Sequence, residues 1–221
     1  MIEKSKRLGI PLLLAKTKSS KSNKSRSVDS KIQRAIQKYA LSKRAEMKYF
    51  DQITSASVTT AGNIINITDV TRGTDPTQRI GNEVFLHHMD FSTAYYINSN
   101  VDQAMIRAIV LLDTMGVNAP VVSDVLDSGL VGSGYTNIAP YNWDLRKRFV
   151  IKKDLTVHLN KSASTSSRII KFRVPLKIKS YNIGTGTTYK NQIYILFIGT
   201  ESNTLNLSTF QFHSRLHFTD E

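Results

Sequence analysis

The chain has 221 residues, 40% of them hydrophobic, and a formal net charge of +13 at neutral pH, a composition compatible with a soluble globular protein. It contains no cysteine, which excludes disulfides, thiol catalysis and cysteine-based zinc sites. The only apolar run near the N-terminus, residues 10–15, is too short for the core of a signal peptide or for a membrane span. We therefore expect a protein of the cytosol or nucleus with no membrane partner.

The positive charge is concentrated in residues 1–45, which hold 13 lysines and arginines against two acids. Their net charge of +11 leaves only +2 for the rest of the chain. Like charges at this density oppose packing, and phosphate is their usual counter-charge. We therefore predict an arm that binds nucleic acid without reading its sequence, although a tail for solubility or nuclear import is an alternative. The predicted contact residues are Lys4, Lys6, Arg7, Lys16, Lys18, Lys21, Lys24, Arg26, Lys31, Arg34 and Lys38.

The arm has two parts with different patterns. Residues 1–28 are rich in lysine and serine and contain too few apolar side chains for a core, so we expect them to be disordered. Residues 30–44 have apolar side chains at helical spacing after Ser30, a residue that favours the start of a helix. We predict a short amphipathic helix there, either on the nucleic acid or packed on its own domain.

From residue 46 on, apolar residues recur at every second position, which is typical of strands with one face exposed to solvent. Two segments, 103–113 and 192–198, are apolar on both faces and should be central strands. One short helix is expected at residues 121–127. The predicted strands cover residues 46–56, 62–67, 82–97, 103–113, 149–159, 170–178, 192–198 and 210–218. The pattern predicts an all-β domain over residues 46–221, an eight-stranded antiparallel jelly-roll sandwich.

The positions of the histidines in the sequence do not predict a metal site. His87 and His88 are sequence neighbours, which on a regular strand face opposite sides, and His213 and His217 are about 13 Å apart on one strand. No phosphate-binding loop or nucleophile elbow is present in the sequence, and nothing argues for catalysis. The most notable surface is a basic strip of alternating residues: Lys171, Arg173, Lys177 and Lys179. It is either a solvated face or a second contact for the polyanion.

Several apolar and aromatic residues fall in predicted loops. We expect a number of them at contacts between subunits. They are Val121, Val122, Tyr135, Tyr141 and Trp143.

Four short stretches, in order and at matching spacing, carry a family resemblance. They are Thr60-Ala-Gly followed by residues 64–67, the segment Gly-Thr-Asp-Pro-Thr-Gln-Arg-Ile-Gly at 73–81, Arg-Ala-Ile-Val-Leu-Leu-Asp at 107–113, and Tyr-Asn at 141–142 leading to 148–156. Together they resemble the coat protein of satellite tobacco necrosis virus and related capsid proteins of small circular single-stranded DNA viruses. The basic arm before the first strand also matches the layout of that family.

The resemblance implies a single jelly roll that closes with itself into a T=1 shell of about 60 copies, with the arms pointing inward onto a single-stranded genome. DNA is favoured over RNA because such capsids are widespread in circular DNA viruses. It also implies Ca²⁺ between subunits, held by the carboxylates of Glu46 and Asp220 and the backbone carbonyls of Ile80 and Glu83. Two alternatives are a cellular jelly-roll module that binds nucleic acid at low oligomeric state, and a cupin-like enzyme, which the lack of a ligand cluster disfavours.

Overall fold

The computed structural model describes residues 32–33, 46–116, 118–162, 165–183 and 188–220. The chain divides into two units, Met1–Arg44 and Ala45–Glu221, and the fold below is that of the second. The predicted arm helix lies outside the described residues, except for Ile32 and Gln33, which have helical conformation. The predicted disorder of residues 1–28 falls wholly outside them.

The described chain folds into nine strands, one short α-helix and one 3₁₀ turn. None of its described helices has the length and apolar content needed to cross a bilayer. The strands are β1 (Lys48–Ser57), β2 (Asn63–Asn66), β3 (Glu83–Tyr96), β4 (Gln103–Asp113), β5 (Phe149–Asn160), β6 (Ser167–Ile183), β7 (Thr188–Lys190), β8 (Gln192–Ile198) and β9 (Thr209–Asp220), with α1 at Val122–Val125 and the 3₁₀ turn at Thr136–Ile138.

The strands form two antiparallel sheets. One has the order β1-β9-β3-β6-β7 and the other β2-β8-β4-β5. Without β7, a three-residue strand that pairs only with β6, the eight remaining strands make the two four-stranded sheets of a jelly roll. The predicted fold class is therefore confirmed. The expectation that residues 103–113 and 192–198 are central is also confirmed, since β4 and β8 occupy the two inner positions of their sheet.

The main core lies between the two sheets. Strands of both sheets bury alternate side chains there, as the period of two requires. An aromatic cluster joins the sheets: the ring of Phe197 on β8 stacks on Phe210 of β9 at 3.8 Å between centroids, and Tyr95 of β3 meets Phe197 edge-on at 6.4 Å. All three side chains are fully buried.

A second core covers the other face of the four-stranded sheet. The outward residues Ile109 and Leu111 of β4 and Leu196 of β8 pack there against Val125 and Leu126 from the segment between β4 and β5. This explains why β4 and β8 are apolar on both faces. We call residues 114–116 and 118–148 the covering segment, because their apolar side chains cover this face of the sheet in place of solvent.

Two Arg–Asp ion pairs fasten the covering segment, and the first of them, which is buried, joins its two ends. The Asp113 side chain is only 1% exposed and accepts hydrogen bonds from Arg148 at 2.8 and 3.1 Å. The same carboxylate also accepts the backbone N–H groups of Met115 and Gly116. The carboxylate at the end of β4 thus holds both the first turn of the segment and the arginine at its end.

The second pair holds the middle of the covering segment. Arg107 donates to Asp154 at 2.7 Å and to the carbonyl of Ala139 at 2.7 Å. The Tyr141 hydroxyl also donates to Asp154. Burial, together with that hydrogen bond, raises the pKa of Tyr141 to about 12, so the phenol stays protonated and remains a donor.

Replacing Arg148 by methionine should destabilise the subunit by about 3–5 kcal/mol, because it leaves the buried Asp113 carboxylate without its cation. Urea unfolding of dissociated subunits measures this change. The matched control is Arg173→Met, which breaks an Arg–Asp pair of similar geometry at the surface, where Arg173 is 64% exposed. The control should change the unfolding midpoint far less. Equal shifts in the two variants would contradict a special role for the buried pair.

Candidate nucleic-acid and subunit interfaces

The five-stranded sheet has one face that lies away from the core. We call the outward side chains of β1, β3, β6 and β9 the open face. Every described side chain on it is exposed or half-buried, in contrast to the fully buried inner face of β3 and β9. Within the unit Ala45–Glu221, the open face is therefore not covered by other described residues.

The predicted basic strip lies on the open face. Lys171, Arg173, Lys177 and Lys179 are all exposed along β6. Arg173 is already paired with Asp90, through contacts of 2.6 and 3.0 Å. Among the described residues, Lys171 and Lys177 make no ion pair, so their charge is available to a polyanion. The strip is thus less basic than its sequence indicates.

A second arginine on the open face is paired in the same way. Arg215 donates twice to Asp51, both times at 2.7 Å. The hydrogen bond from Arg215 outweighs burial and lowers the pKa of Asp51, and Arg173 has the same effect on the pKa of Asp90. Both aspartates are therefore ionised at neutral pH, and the two pairs cancel much of the charge on this face.

The prediction for His87 and His88 was wrong, because β3 is irregular between Leu86 and His88. A β-bulge there places two consecutive residues on one side of the strand. His87 contacts the ring of Phe85 and lies 3.2 Å from the Thr219 hydroxyl, both on the open face. His88 faces the same side. Four of the five histidines therefore lie on this face.

The bulge brings His88 into a cluster with two other residues. His88 pairs with His217 across the β3–β9 ladder, and their rings stack at 4.3 Å between centroids. Asp90 lies two residues further along β3, and its Oδ2 is 3.9 Å from His88 Nε2 and 3.6 Å from His217 Nε2. Burial, with the neighbouring charges of His217 and Arg173, lowers the pKa of His88. Spacing along single strands did not predict this cluster.

The predicted calcium ligands lie near one end of β3 and β9. Asp220 Oδ2 is 2.7 Å from the ammonium of Lys48, which is 6% exposed, and Oδ1 accepts the backbone N–H of Ile80 at 3.2 Å. Glu46 and Glu83 are exposed. One chain thus brings Asp220 and Ile80 together, but through the Ile80 N–H and not its carbonyl.

Two details limit how a cation fits there. Lys48 already balances the charge of Asp220, and the Ile80 carbonyl accepts a hydrogen bond from Arg72 at 3.1 Å. A carbonyl oxygen has a second lone pair, so that bond does not prevent coordination. Glu46 and Asp220 supply the two carboxylates that the resemblance implies, and Lys48 and Arg72 already place two positive charges beside the predicted ligands. The donor set therefore fits a divalent cation only when carboxylates of a neighbouring subunit add to it.

An aromatic patch lies on the covering segment. Trp143 is 72% exposed, and Arg146 stacks on its ring at 3.9 Å. Val121, Tyr135 and Tyr141 are exposed as well. The prediction for Val122 was wrong in one respect: it is buried in the second core of its own subunit, because α1 turns it toward the sheet.

The eleven basic residues of the predicted nucleic-acid contact, from Lys4 to Lys38, lie outside the described residues. Their role stays a prediction.

Residues 14–221 match the family model of the satellite tobacco necrosis virus coat protein. The chain belongs to this family. No curated protein sequence matches it. A solved structure titled "Desmodium yellow mottle tymovirus" is 11% identical, covers 80% of this chain and 88% of that chain, and has a TM-score of 0.40. Another, titled "Bacillus endospore appendages form a novel family of disulfide-linked pili", is 10% identical over 80% of this chain and 92% of that chain, with a TM-score of 0.28. Both scores are too low to carry an argument.

Family membership makes the chain a viral coat protein, a structural subunit of a virion. A coat protein must present surfaces to copies of itself, and the exposed aromatic patch is a candidate for one of them. Apolar area of this kind is normally covered in the mature state of a soluble assembly. One aromatic residue of the patch is tied to the ion pairs beneath the segment, because the Tyr141 hydroxyl donates to Asp154.

Replacing Trp143 by aspartate should reduce particle yield strongly, because a buried interface tryptophan contributes about 2 kcal/mol or more per contact and each contact repeats around a shell. Negative-stain electron microscopy and size-exclusion chromatography measure the yield. The matched control is Leu205→Asp, since Leu205 is 73% exposed but lies in the β8–β9 connection, outside the patch. Normal yield from the Trp143 variant would show that the patch is not a contact.

Proposed function

We propose that this coat protein assembles into a T=1 icosahedral shell of about 60 subunits and packages a single-stranded genome through its basic N-terminal arm. The observation that carries the proposal is the distribution of charge: +11 of the net +13 lies in residues 1–45, ahead of a jelly roll of the coat-protein family. A cellular nucleic-acid-binding module, the alternative from sequence, is disfavoured by the family match.

The magnitude of the charge supports packaging. About 60 arms of +11 bring several hundred positive charges into one shell, enough to neutralise a comparable number of phosphates. The described body adds little, because Arg173 and Arg215 on the open face are paired with aspartates. Contacts with phosphate groups do not distinguish one base sequence from another. Because DNA and RNA both have phosphate backbones, the charge of the arm suits either. We favour DNA as the genome because of the circular DNA viruses whose capsids the sequence resembles.

Deleting residues 1–28 should leave the β-domain folded and remove most of the packaged nucleic acid. The strands and both cores of the described chain begin after residue 45, so their packing does not require this segment. The ratio of absorbance at 260 and 280 nm, and extraction of nucleic acid from purified particles, measure packaging. Particles of the truncated chain with undiminished nucleic acid would contradict the arm assignment.

Particles of the truncated chain also test whether the open face is a second contact surface for nucleic acid. Lys171→Glu with Lys177→Glu should lower any residual nucleic acid further. Lys152→Glu with Lys153→Glu is the matched control, since it makes the same change of charge on β5 of the other sheet. An equal loss in the control would indicate a general effect of charge and not a surface on β6.

We also propose that calcium bridges neighbouring subunits. The family resemblance implies it, through the carboxylates of Glu46 and Asp220 and the backbone carbonyls of Ile80 and Glu83. The contact between Asp220 and Ile80 within one chain supports it. Carboxylate and carbonyl oxygens are the donors that Ca²⁺ prefers. In the shell, Glu46 of one subunit would add to Asp220 of the next, and the ion would turn repulsion between carboxylates into a bridge.

Removing calcium with a chelator at neutral pH should swell the particles and lower their melting temperature by several degrees, because the bridging ion is lost while the carboxylates remain charged. Dynamic light scattering and thermal melting measure the two effects. Asp220→Asn particles should respond to chelator much less. Identical curves for the unmodified protein with and without chelator would rule out the calcium site and leave the coat-protein function unaffected.

A further inference from the structure

We propose that His88, Asp90 and His217 form a binding site for a divalent transition metal, with zinc as its ion, on the open face of the five-stranded sheet. This site is separate from the predicted calcium ligands, which are oxygens only. It does not depend on nucleic-acid packaging. The argument rests on where the sheet places three side chains and on the chemistry of their donor atoms.

The fold itself assembles the three donors. The bulge between Leu86 and His88 turns His88 onto the open face, where it lies directly opposite His217 of β9. Asp90 follows on the same face of β3, in register with Arg173 of β6 and Arg215 of β9. Because β3 is hydrogen-bonded on both sides, its backbone is fixed. The donors therefore come together without any rearrangement of the main chain.

The distances are close to those of a zinc site. One donor atom from each of the three residues lies within 4.8 Å of the others, and Asp90 Oδ2 is 3.6 Å and 3.9 Å from the two Nε2 atoms. Tetrahedral zinc with bonds of about 2.0–2.1 Å separates neighbouring donors by about 3.4 Å. The two imidazole rings now stack with 19° between their planes, so binding requires one ring to turn until both nitrogen lone pairs point at the same ion. Two imidazoles and one carboxylate fill three positions and leave a fourth open for water or an anion.

The donor set selects the type of ion. Imidazole nitrogen favours zinc and other late first-row divalent metals, whereas calcium and magnesium prefer sites made of oxygen alone. Asp90 has two oxygens with different tasks. Arg173 Nε holds Oδ1 at 2.6 Å, while Oδ2 faces the histidines. Arg173 therefore acts as the outer partner that orients a ligating carboxylate. Its second contact, from Nη2 to Oδ2 at 3.0 Å, is the one that a metal would replace.

The second Arg–Asp pair on the open face provides an internal comparison. Asp51 is held by Arg215 as Asp90 is held by Arg173, and His213 Nε2 lies 3.5 Å from Asp51 Oδ1. That group has one histidine and one aspartate, without a second imidazole among the described residues around it. His213 thus shares the strand, the face and the kind of acidic neighbour of His217, but should not bind metal tightly.

Cobalt(II) titration of the metal-free full-length coat protein tests the proposal. Four-coordinate Co²⁺ absorbs strongly in the visible region, whereas phosphate-bound Co²⁺ is six-coordinate and nearly colourless, so residual nucleic acid does not imitate the signal. We expect one such site per chain, with the band abolished by added Zn²⁺ and unaffected by Ca²⁺. Binding of Zn²⁺ should also raise the melting temperature, because the ion ties β3 to β9.

His217→Gln and Asp90→Asn should each weaken binding roughly tenfold or more, and His213→Gln should leave it unchanged. His88→Gln removes a different ligand, so a folding defect in one variant does not decide the outcome. Circular dichroism checks the fold of each. Absence of a four-coordinate band in the unmodified protein would overturn the proposal. So would equal affinity in the folded His217→Gln variant, or an equal loss in His213→Gln.

Discussion

Each long strand of this coat protein must place alternate side chains in the core between two sheets, and this constraint decides what remains outside. On β3 and β9 the inner side chains are fully buried, so the intervening residues form the open face. The cost of burying a charge keeps lysine, arginine and histidine on that face. The bulge before His88 interrupts the alternation of inner and outer side chains on β3. It therefore adds an imidazole to the outer surface that a regular strand would not place there.

The other sheet meets the same constraint differently. Its inner strands are apolar on both faces, so a second layer has to cover them, and the covering segment provides it. That segment is irregular, and two Arg–Asp pairs fix its position. Asp113 with Arg148, and Asp154 with Arg107, satisfy backbone groups of the segment as well as each other. A loop anchored in this way can hold exposed aromatic side chains in a rigid arrangement suited to self-assembly.

The distribution of charge separates two tasks within one chain. The body is nearly neutral, and much of the charge on its open face is cancelled by the Arg173–Asp90 and Arg215–Asp51 pairs. Surface pairs of this kind add little stability, but they prevent the face from acting as a strong polyanion site. The arm keeps its net charge of +11, since it carries only two acids. The proposed function therefore assigns binding of the genome and closure of the shell to different parts of the sequence.

The sequence by itself determined the eight main strands, their bounds to within a few residues, the jelly-roll class and the central positions of β4 and β8. These follow from the local period of apolar residues, which each strand carries independently. It also showed the basic strip on β6. Only the tertiary structure decided which residues meet across strands: His88 with His217, Arg173 with Asp90, and Lys48 with Asp220. These contacts join residues at least 83 positions apart, and they depend on strand register and on one bulge, for which the local pattern gives no signal. Sheet pairing is cooperative and long-range, so a histidine that appears isolated along its own strand acquires its neighbours only when the sheet forms.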